Sequence, residues 1–155
     1  MRPELKAAVC MLVALLSVRA APARSQDHAF ILTGAGRFAV MADVASIEPD
    51  GDGVRMRAFQ VAEPGFAVGD TAYWGGWSWW RFDCAARTAD RLDFASVRET
   101  GQEGPAMPDA APAYDAAPGG DAAELLAVAC SPALQSSGVR TLEEAVALGR
   151  AALAH

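Results

Sequence analysis

One stretch of the chain, residues 74–84, holds all four tryptophans and one of the three cysteines. Because a strand alternates its side chains between two faces, Trp80, Phe82 and Cys84 would share one face of a strand here. The opposite face would hold Trp77, Trp79, Arg81 and Asp83. We predict that the first face belongs to the core. The second face is aromatic and charged at once, which is typical of a half-exposed sheet surface or a contact surface.

The first residues have the layout of a secretory signal peptide. A basic start precedes an apolar run over residues 7–18, and small residues follow between positions 20 and 23. The run is too short to span a bilayer as a helix, and the arginines after it argue against a retained membrane anchor. Cleavage after Ala20, Ala23 or Ser25 would satisfy the small-x-small rule, and we favour Ala23. The sequence therefore predicts a signal peptide over residues 1–23 and a soluble exported protein with no membrane span.

Removal of that segment makes the chain more acidic. The full sequence has a formal net charge of −6. Residues 1–23 carry three basic residues and one acidic residue, so the mature chain would carry −8. An acidic chain repels phosphate backbones, which argues against nucleic acid as a partner.

Two cysteines, Cys84 and Cys130, would remain after cleavage, because Cys10 lies in the signal peptide. In an oxidising compartment two cysteines usually pair. Closing so long a loop would stabilise the fold by about 4 kcal/mol on the chain-entropy model. We predict a structural disulfide, since a redox role would call for a Cys-x-x-Cys pair.

The remaining patterns predict strands first and helices last. Strands are predicted over residues 29–33, 37–42 and 54–61, and the third changes the parity of its apolar residues. That change indicates a bulge or a strand covered on both faces. Residues 45–47 are predicted as a turn, and residues 48–53 as a hairpin turn with a weak likeness to a calcium loop. A further hairpin joins the tryptophan strand to a strand that ends near Glu99.

Residues 101–120 are rich in proline, alanine, glycine and aspartate, which predicts a long mobile loop anchored only by Tyr114. Two capping-box spacings follow it and predict two helices: Asp121 with Glu124, and Thr141 with Glu144. On the first helix Cys130 lies four residues after Leu126 and would face the sheet. The second helix would extend to Leu153, and its mostly alanine apolar side predicts that it is weakly held.

Candidates for catalysis are few. His28 lies at the predicted mature N-terminus and His155 is the last residue, so both are expected to fray. We therefore predict no Ser-His-Asp or Cys-His set, no catalytic residue and no enzymatic activity. With both cysteines in a bridge we predict no metal site and no cofactor. Residues 34–39 match a loose dinucleotide fingerprint, but an alternating strand is the better interpretation there.

An ordered set of motifs in residues 28–131 resembles the surface-adhesin protein E-like family of exported bacterial proteins. The set consists of Asp43 with Ser46 and Ile47, a glycine-rich turn before residues 54–56, residues 82–87, and residues 123–126 leading to Ala129 and Cys130. Tyr114 stands where such proteins often carry a tryptophan. The tryptophan cluster, the long segment 101–120 and the tail after Ser131 depart from the family.

This resemblance implies an α+β fold: a small antiparallel meander sheet with a C-terminal helix tied to it by the Cys84–Cys130 bridge. The helix predicted from the Thr141–Glu144 spacing would be a short extra helix in a C-terminal tail, residues 132–155, outside the resemblance. The resemblance also implies a periplasmic or surface location. For the founding member it implies adhesion to host matrix and serum proteins, and a dimeric form.

Two functions stay open from the sequence. The first is a non-enzymatic envelope protein that binds a protein or surface ligand, with Trp77, Trp79 and Arg81 as the contact surface, and that forms a homodimer. The second is a binder of small molecules or cell-wall fragments, with hydrolysis as one variant, in a cleft lidded by residues 101–120. The second predicts a deep pocket lined by tryptophan and convergent carboxylates, whereas a flat tryptophan face would count against it.

Overall fold

The computed structural model describes residues 27–135 and 138–155, so the predicted signal peptide lies outside the described residues. The strands are β1 (Phe30–Ala35), β2 (Ala39–Asp50), β3 (Gly53–Val61), β4 (Ala67–Val68), β5 (Thr71–Asp83), β6 (Thr88–Arg91), β7 (Asp93–Arg98), β8 (Met107–Pro108) and β9 (Tyr114–Asp115). The helices are α1 (Asp121–Cys130) and α2 (Leu142–Leu153), with a 3-10 turn at Pro132–Leu134. Within the described residues no helix combines the length and hydropathy that a membrane span requires.

The strands form one antiparallel sheet whose main order is β1-β2-β3-β5-β6-β9. Strand β5 has 13 residues, long enough to pair with β3 on one side and with both β6 and β7 on the other. Cys84 follows β5 directly, and a disulfide joins it to Cys130, the last residue of α1, with a Cα–Cα distance of 5.7 Å. The predicted α+β fold, with a helix tied to an antiparallel meander by one bridge, is confirmed.

Alternate side chains of the central strands enter two separate hydrophobic cores. The first core includes Val40, Met56 and Phe82 and packs against α1. The second includes Met41 and Phe59 and packs against α2. Because neighbouring residues of a strand point to opposite faces, the two helices cover opposite faces of the sheet. Strand β3 is therefore covered on both faces, which explains the change of parity in its sequence.

Helix α2 packs closely against the sheet through small residues. Ala145 is fully buried, and a side chain at Gly149 would place its Cβ 2.7 Å from a methyl carbon of Val61. Just before the helix, Val139 exchanges backbone hydrogen bonds with Phe30 of β1. Small residues let the helix approach the strands closely, and the prediction that it is weakly held stays a prediction.

The two helices begin in different ways. The hydroxyl of Thr141 accepts a hydrogen bond from the backbone N–H of Glu144, 3.2 Å away, and the Glu144 carboxylate accepts one from the N–H of Thr141 at 3.1 Å. This capping box is confirmed. Helix α1 has Gly120 at its N-cap and no side-chain cap, so the box predicted at Asp121 is wrong, because Asp121 is already the first helical residue.

Strand β2 continues through residues 45–47, where the sequence predicted a turn. Its pairing with β3 is interrupted between Asp43 and Glu48, and Ser46 fills the gap with its side chain. The Ser46 hydroxyl donates to the carbonyl of Asp43 at 2.6 Å and accepts from the backbone N–H of Arg57 at 2.7 Å. A side chain thus replaces missing backbone partners, and the strand bends without ending.

Residues 101–120 are attached to the sheet at several points, so the prediction of a mobile loop anchored only by Tyr114 is wrong. Backbone N–H groups of Gly104, Asp109 and Ala116 donate to carbonyl groups of the sheet and its connections at 2.7–3.0 Å. Ala116 is buried, whereas the Tyr114 side chain is 47% exposed. Backbone pairing, which composition does not reveal, holds this segment in place.

Candidate functional site

Trp77 does not belong to a contact surface. Its side chain is only 3% exposed and lies in the core under α2. Its ring packs edge-on against Phe59, its cross-strand partner, with 5.0 Å between ring centres. Helix α2 covers this part of the sheet face, so the prediction of an exposed Trp77 is wrong. Cys84, predicted on the core face, is exposed because it lies beyond the end of β5.

Trp79 lies farther along the same strand face and is half-buried. The guanidinium group of Arg55 lies 5.0 Å from the centre of its ring, and that of Arg57 lies 5.8 Å away. The neighbouring Arg81 side chain is 52% exposed, and its Nε donates to the Asp50 carboxylate at 2.8 Å. This hydrogen bond with Arg81 holds the pKa of Asp50 below its ordinary value. Trp79 and Arg81 therefore belong to one surface, in which charged side chains surround a single aromatic ring.

A polar cleft of about 360 Å³ opens beside this surface. Its lining combines an aromatic ring with acidic and basic side chains: Asp27, His28, Asp43, Ser46, Glu48, Arg57 and Trp79. Segments before β1, in β2, in β3 and in β5 build it, and they meet because these strands are neighbours in the sheet. We call it the Trp79 cleft.

His28 is held in this cleft, so the prediction that it frays is wrong. Its Nδ1 lies 2.7 Å from a carboxylate oxygen of Asp43, which is 2% exposed. The other Asp43 oxygen accepts the backbone N–H of Ala29 at 3.0 Å. The imidazole also stacks on Phe30 and Trp77, with ring centres 5.0 and 5.5 Å away. The buried Asp43 carboxylate thus holds the residues just before β1 in place.

Arg57 occupies the other wall of the cleft. Its guanidinium group lies 4.2 Å from the ring centre of Trp77, and Nη2 donates to Glu103 at 3.0 Å. Its Nε is buried and has no hydrogen-bond partner among the described residues. The cleft therefore offers an aromatic face and charged groups of both signs. Ser46 supplies no nucleophile, since its hydroxyl already bonds to the backbone on both sides. In residues 27–135 and 138–155, no three metal-ligating side chains converge.

A second cavity, of about 290 Å³, lies on the opposite sheet face and was not predicted from the sequence. Its lining is mostly apolar and aromatic: Phe38, Gln60, Ala62, Phe66, Val68, Tyr73, Gly75, Gly76, Phe94 and Ser96. We call it the apolar pocket. The one signal for it in the sequence is the Gly75-Gly76 pair, which interrupts an aromatic strand.

No protein-family model, curated protein or solved structure matches the chain. The resemblance to the surface-adhesin protein E-like family accordingly rests on the sequence motifs.

Proposed function

We propose that this chain is a non-enzymatic, exported envelope or surface protein, similar to surface-adhesin protein E, that binds another protein with the surface formed by Trp79 and Arg81. The observation that carries the proposal is the half-buried Trp79 ring at the edge of an open cleft, with the guanidinium groups of Arg55 and Arg57 5.0 and 5.8 Å from its centre. Tryptophan and arginine are the residues that most often dominate binding energy at protein interfaces.

The charges around Trp79 are already held in place. Arg55 pairs with Glu48, Arg57 with Glu103 and Arg81 with Asp50. Each pair restricts a long side chain that would otherwise lose conformational freedom on binding. A surface ordered in this way loses less entropy when a partner docks, which favours tight binding by a small area.

Export is supported by two features. The chain starts with a signal-peptide pattern, and its remaining cysteines form an intramolecular disulfide. Such bridges persist in oxidising compartments and are rare in the cytosol. The intact mass of the protein recovered from the cell envelope tests this part, with loss of residues 1–23 as the expected result and retention of the leader as the result against it.

Binding is tested on plates coated with basement-membrane extract or serum proteins, using the purified mature protein. We expect saturable binding that falls at least about tenfold in the double variant Trp79→Ala/Arg81→Ala, since hot-spot truncations cost about 2 kcal/mol or more. Tyr114→Ala/Arg98→Ala is the matched control, because it removes an aromatic and an arginine that are exposed elsewhere. Equal binding by both folded variants would refute the role of Trp79 and Arg81. Gel filtration of the same proteins tests whether the chain forms the homodimer predicted from the sequence.

A second candidate function is favoured by one observation: the Trp79 cleft brings carboxylates together with a tryptophan. Asp27, Asp43 and Glu48 all line it. Sugar rings stack on tryptophan, and their hydroxyl groups donate hydrogen bonds to carboxylates, so a cell-wall fragment would fit this chemistry. Quenching of tryptophan fluorescence by peptidoglycan fragments, abolished by Trp79→Ala and retained by Tyr114→Ala, is the expected result for this function. No response to the fragments would leave protein binding as the better proposal.

A further inference from the structure

The shape of the apolar pocket depends on two glycines in the backbone of β5. At Gly75 φ is 148°, and a Cβ there would lie 1.7 Å from the carbonyl oxygen of Gln60. A Cβ at Gly76 would lie 2.3 Å from the ring of Phe94. Without side chains at these two positions, the Phe94 ring lies against the backbone of β5 and forms a wall of the pocket. The concavity therefore depends on the glycine pair.

The same glycines redirect the side chains that precede them. Pairing between β5 and β7 is irregular between Tyr73 and Gly75. At this irregularity Tyr73 lines the apolar pocket, whereas the next residue, Trp74, packs into the core under α2 together with Trp77. In a regular strand Trp74 and Trp77 would point to opposite faces. The irregularity thus places Tyr73, in the position that Trp74 would otherwise take, on the pocket side of the strand.

The lining of the pocket is uncharged, and the cation Arg37 lies beside one of the lining residues, Phe38. Phe38 and Phe66 meet edge to face, with 6.3 Å between ring centres, and join two loops across the rim. The guanidinium group of the exposed Arg37 lies 5.6 Å from the centre of the Phe38 ring. Polar atoms inside the pocket come from Gln60, Tyr73 and Ser96.

We propose that the apolar pocket binds a small amphipathic carboxylate, with its apolar chain inside the pocket and its carboxylate beside Arg37. A water-sized group occupies about 30 Å³, so the cavity holds on the order of ten non-hydrogen atoms. An uncharged aromatic lining favours a hydrocarbon chain, and the guanidinium group of Arg37 beside Phe38 complements a negative charge. This site is independent of the proposed protein-binding surface, because Trp79 lies on the other face of the sheet.

Calorimetric titration of the mature protein with straight-chain carboxylates of six to fourteen carbons tests the proposal. We expect affinity to rise about fourfold for each added methylene while the chain still enters the pocket, and to level off once the pocket is full. Decanoate is expected to bind more tightly than decanol, and decylamine most weakly. A lack of saturable binding at every chain length, or equal affinity for decanoate and decylamine, would overturn the proposal.

Variants show whether binding occurs in this pocket. Phe94→Ala, which removes a wall, is expected to weaken decanoate binding at least about tenfold, since several buried methylene contacts are lost. Tyr114→Ala is the control, because its ring is exposed at another edge of the sheet. Arg37→Gln, a surface change that leaves the core intact, should weaken decanoate binding by roughly twofold to fivefold and leave decanol binding unchanged. Arg140→Gln, also exposed, should change neither.

Unchanged decanoate affinity in Arg37→Gln would refute the placement of the carboxylate. Unchanged affinity in a folded Phe94→Ala protein would refute the pocket as the site. Near-ultraviolet circular dichroism of each variant establishes that it is folded.

Discussion

The hydroxyl of Ser46 accepts a hydrogen bond from the backbone N–H of Arg57, 2.7 Å away, in the gap where β2 and β3 lose their regular pairing. The same hydroxyl donates to the carbonyl of Asp43. One side chain therefore lets β2 bend around the Trp79 cleft while the backbone of β3 stays satisfied.

The first prediction concerns this hydroxyl. Ser46→Ala leaves the N–H of Arg57 without its partner in a half-buried position, which should lower the free energy of unfolding by about 1–3 kcal/mol. Urea denaturation of the two proteins measures the difference. A stability equal to that of the unaltered protein would show that water replaces the hydroxyl at no cost.

The second prediction also replaces a serine by alanine, but here we expect the free energy of unfolding not to fall. The Ser78 side chain is 2% exposed, and its Oγ has no hydrogen-bond partner among the described residues. Ser78→Ala removes a buried polar atom that gains nothing from burial, so the free energy of unfolding should stay level or rise by about 1 kcal/mol. The same urea assay applies, and a marked loss of stability would mean that the hydroxyl has a bonded partner.

The third prediction concerns the start of α2. The Glu144 carboxylate accepts hydrogen bonds from the backbone N–H groups of Arg140 and Thr141, and these bonds hold its pKa below the ordinary value of 4.5. A carboxyl group with a lowered folded-state pKa stabilises the fold above its unfolded-state pKa, and the stabilisation is lost as the pH falls through the folded-state pKa. Glu144→Gln should therefore destabilise the protein at pH 7, and the difference should shrink toward pH 3.

Urea denaturation at both pH values measures this effect. Glu143→Gln is the matched control, because Glu143 lies in the same first turn of α2 without belonging to the capping box. An equal effect of the two substitutions at pH 7 would indicate only a general interaction with the helix dipole.

The fourth prediction concerns the Cys84–Cys130 bridge, which spans 46 positions of the sequence. Replacing both cysteines by serine should lower the free energy of unfolding by about 2–5 kcal/mol, because the bridge restricts the unfolded chain. The mature protein, which lacks Cys10, should show no reactive thiol before reduction and two after it. A free thiol in the native protein would contradict the bridge.

Several features of the fold could be predicted from local sequence. The Thr141–Glu144 box marked the start of α2, because a capping box involves residues only three positions apart. Alternating residues marked the strands, and the pairing of Cys84 with Cys130 followed from their being the two cysteines outside the signal-peptide pattern.

Other features could not be predicted, because they depend on contacts between distant segments. The prediction for Trp77 was wrong. Strand alternation shows that Trp77 and Trp79 share a face, but it does not show which part of that face α2 covers. His28 was expected to fray because it lies at the predicted mature N-terminus, and the sequence does not reveal its contact with Asp43, fifteen positions away in β2. The attachment of residues 101–120 depends on backbone hydrogen bonds, to which composition gives no clue.

The sequence by itself determined where most of the long strands and both helices lie and which cysteines form the bridge, because periodicity, caps and cysteine count act locally or by number. Only the tertiary structure decided which aromatic rings are buried, and it alone assembled the Trp79 cleft and the apolar pocket. Both cavities take their walls from strands and loops that meet only when the sheet forms. The physical reason is that burial depends on which elements cover each face, a long-range property that no single stretch of residues encodes.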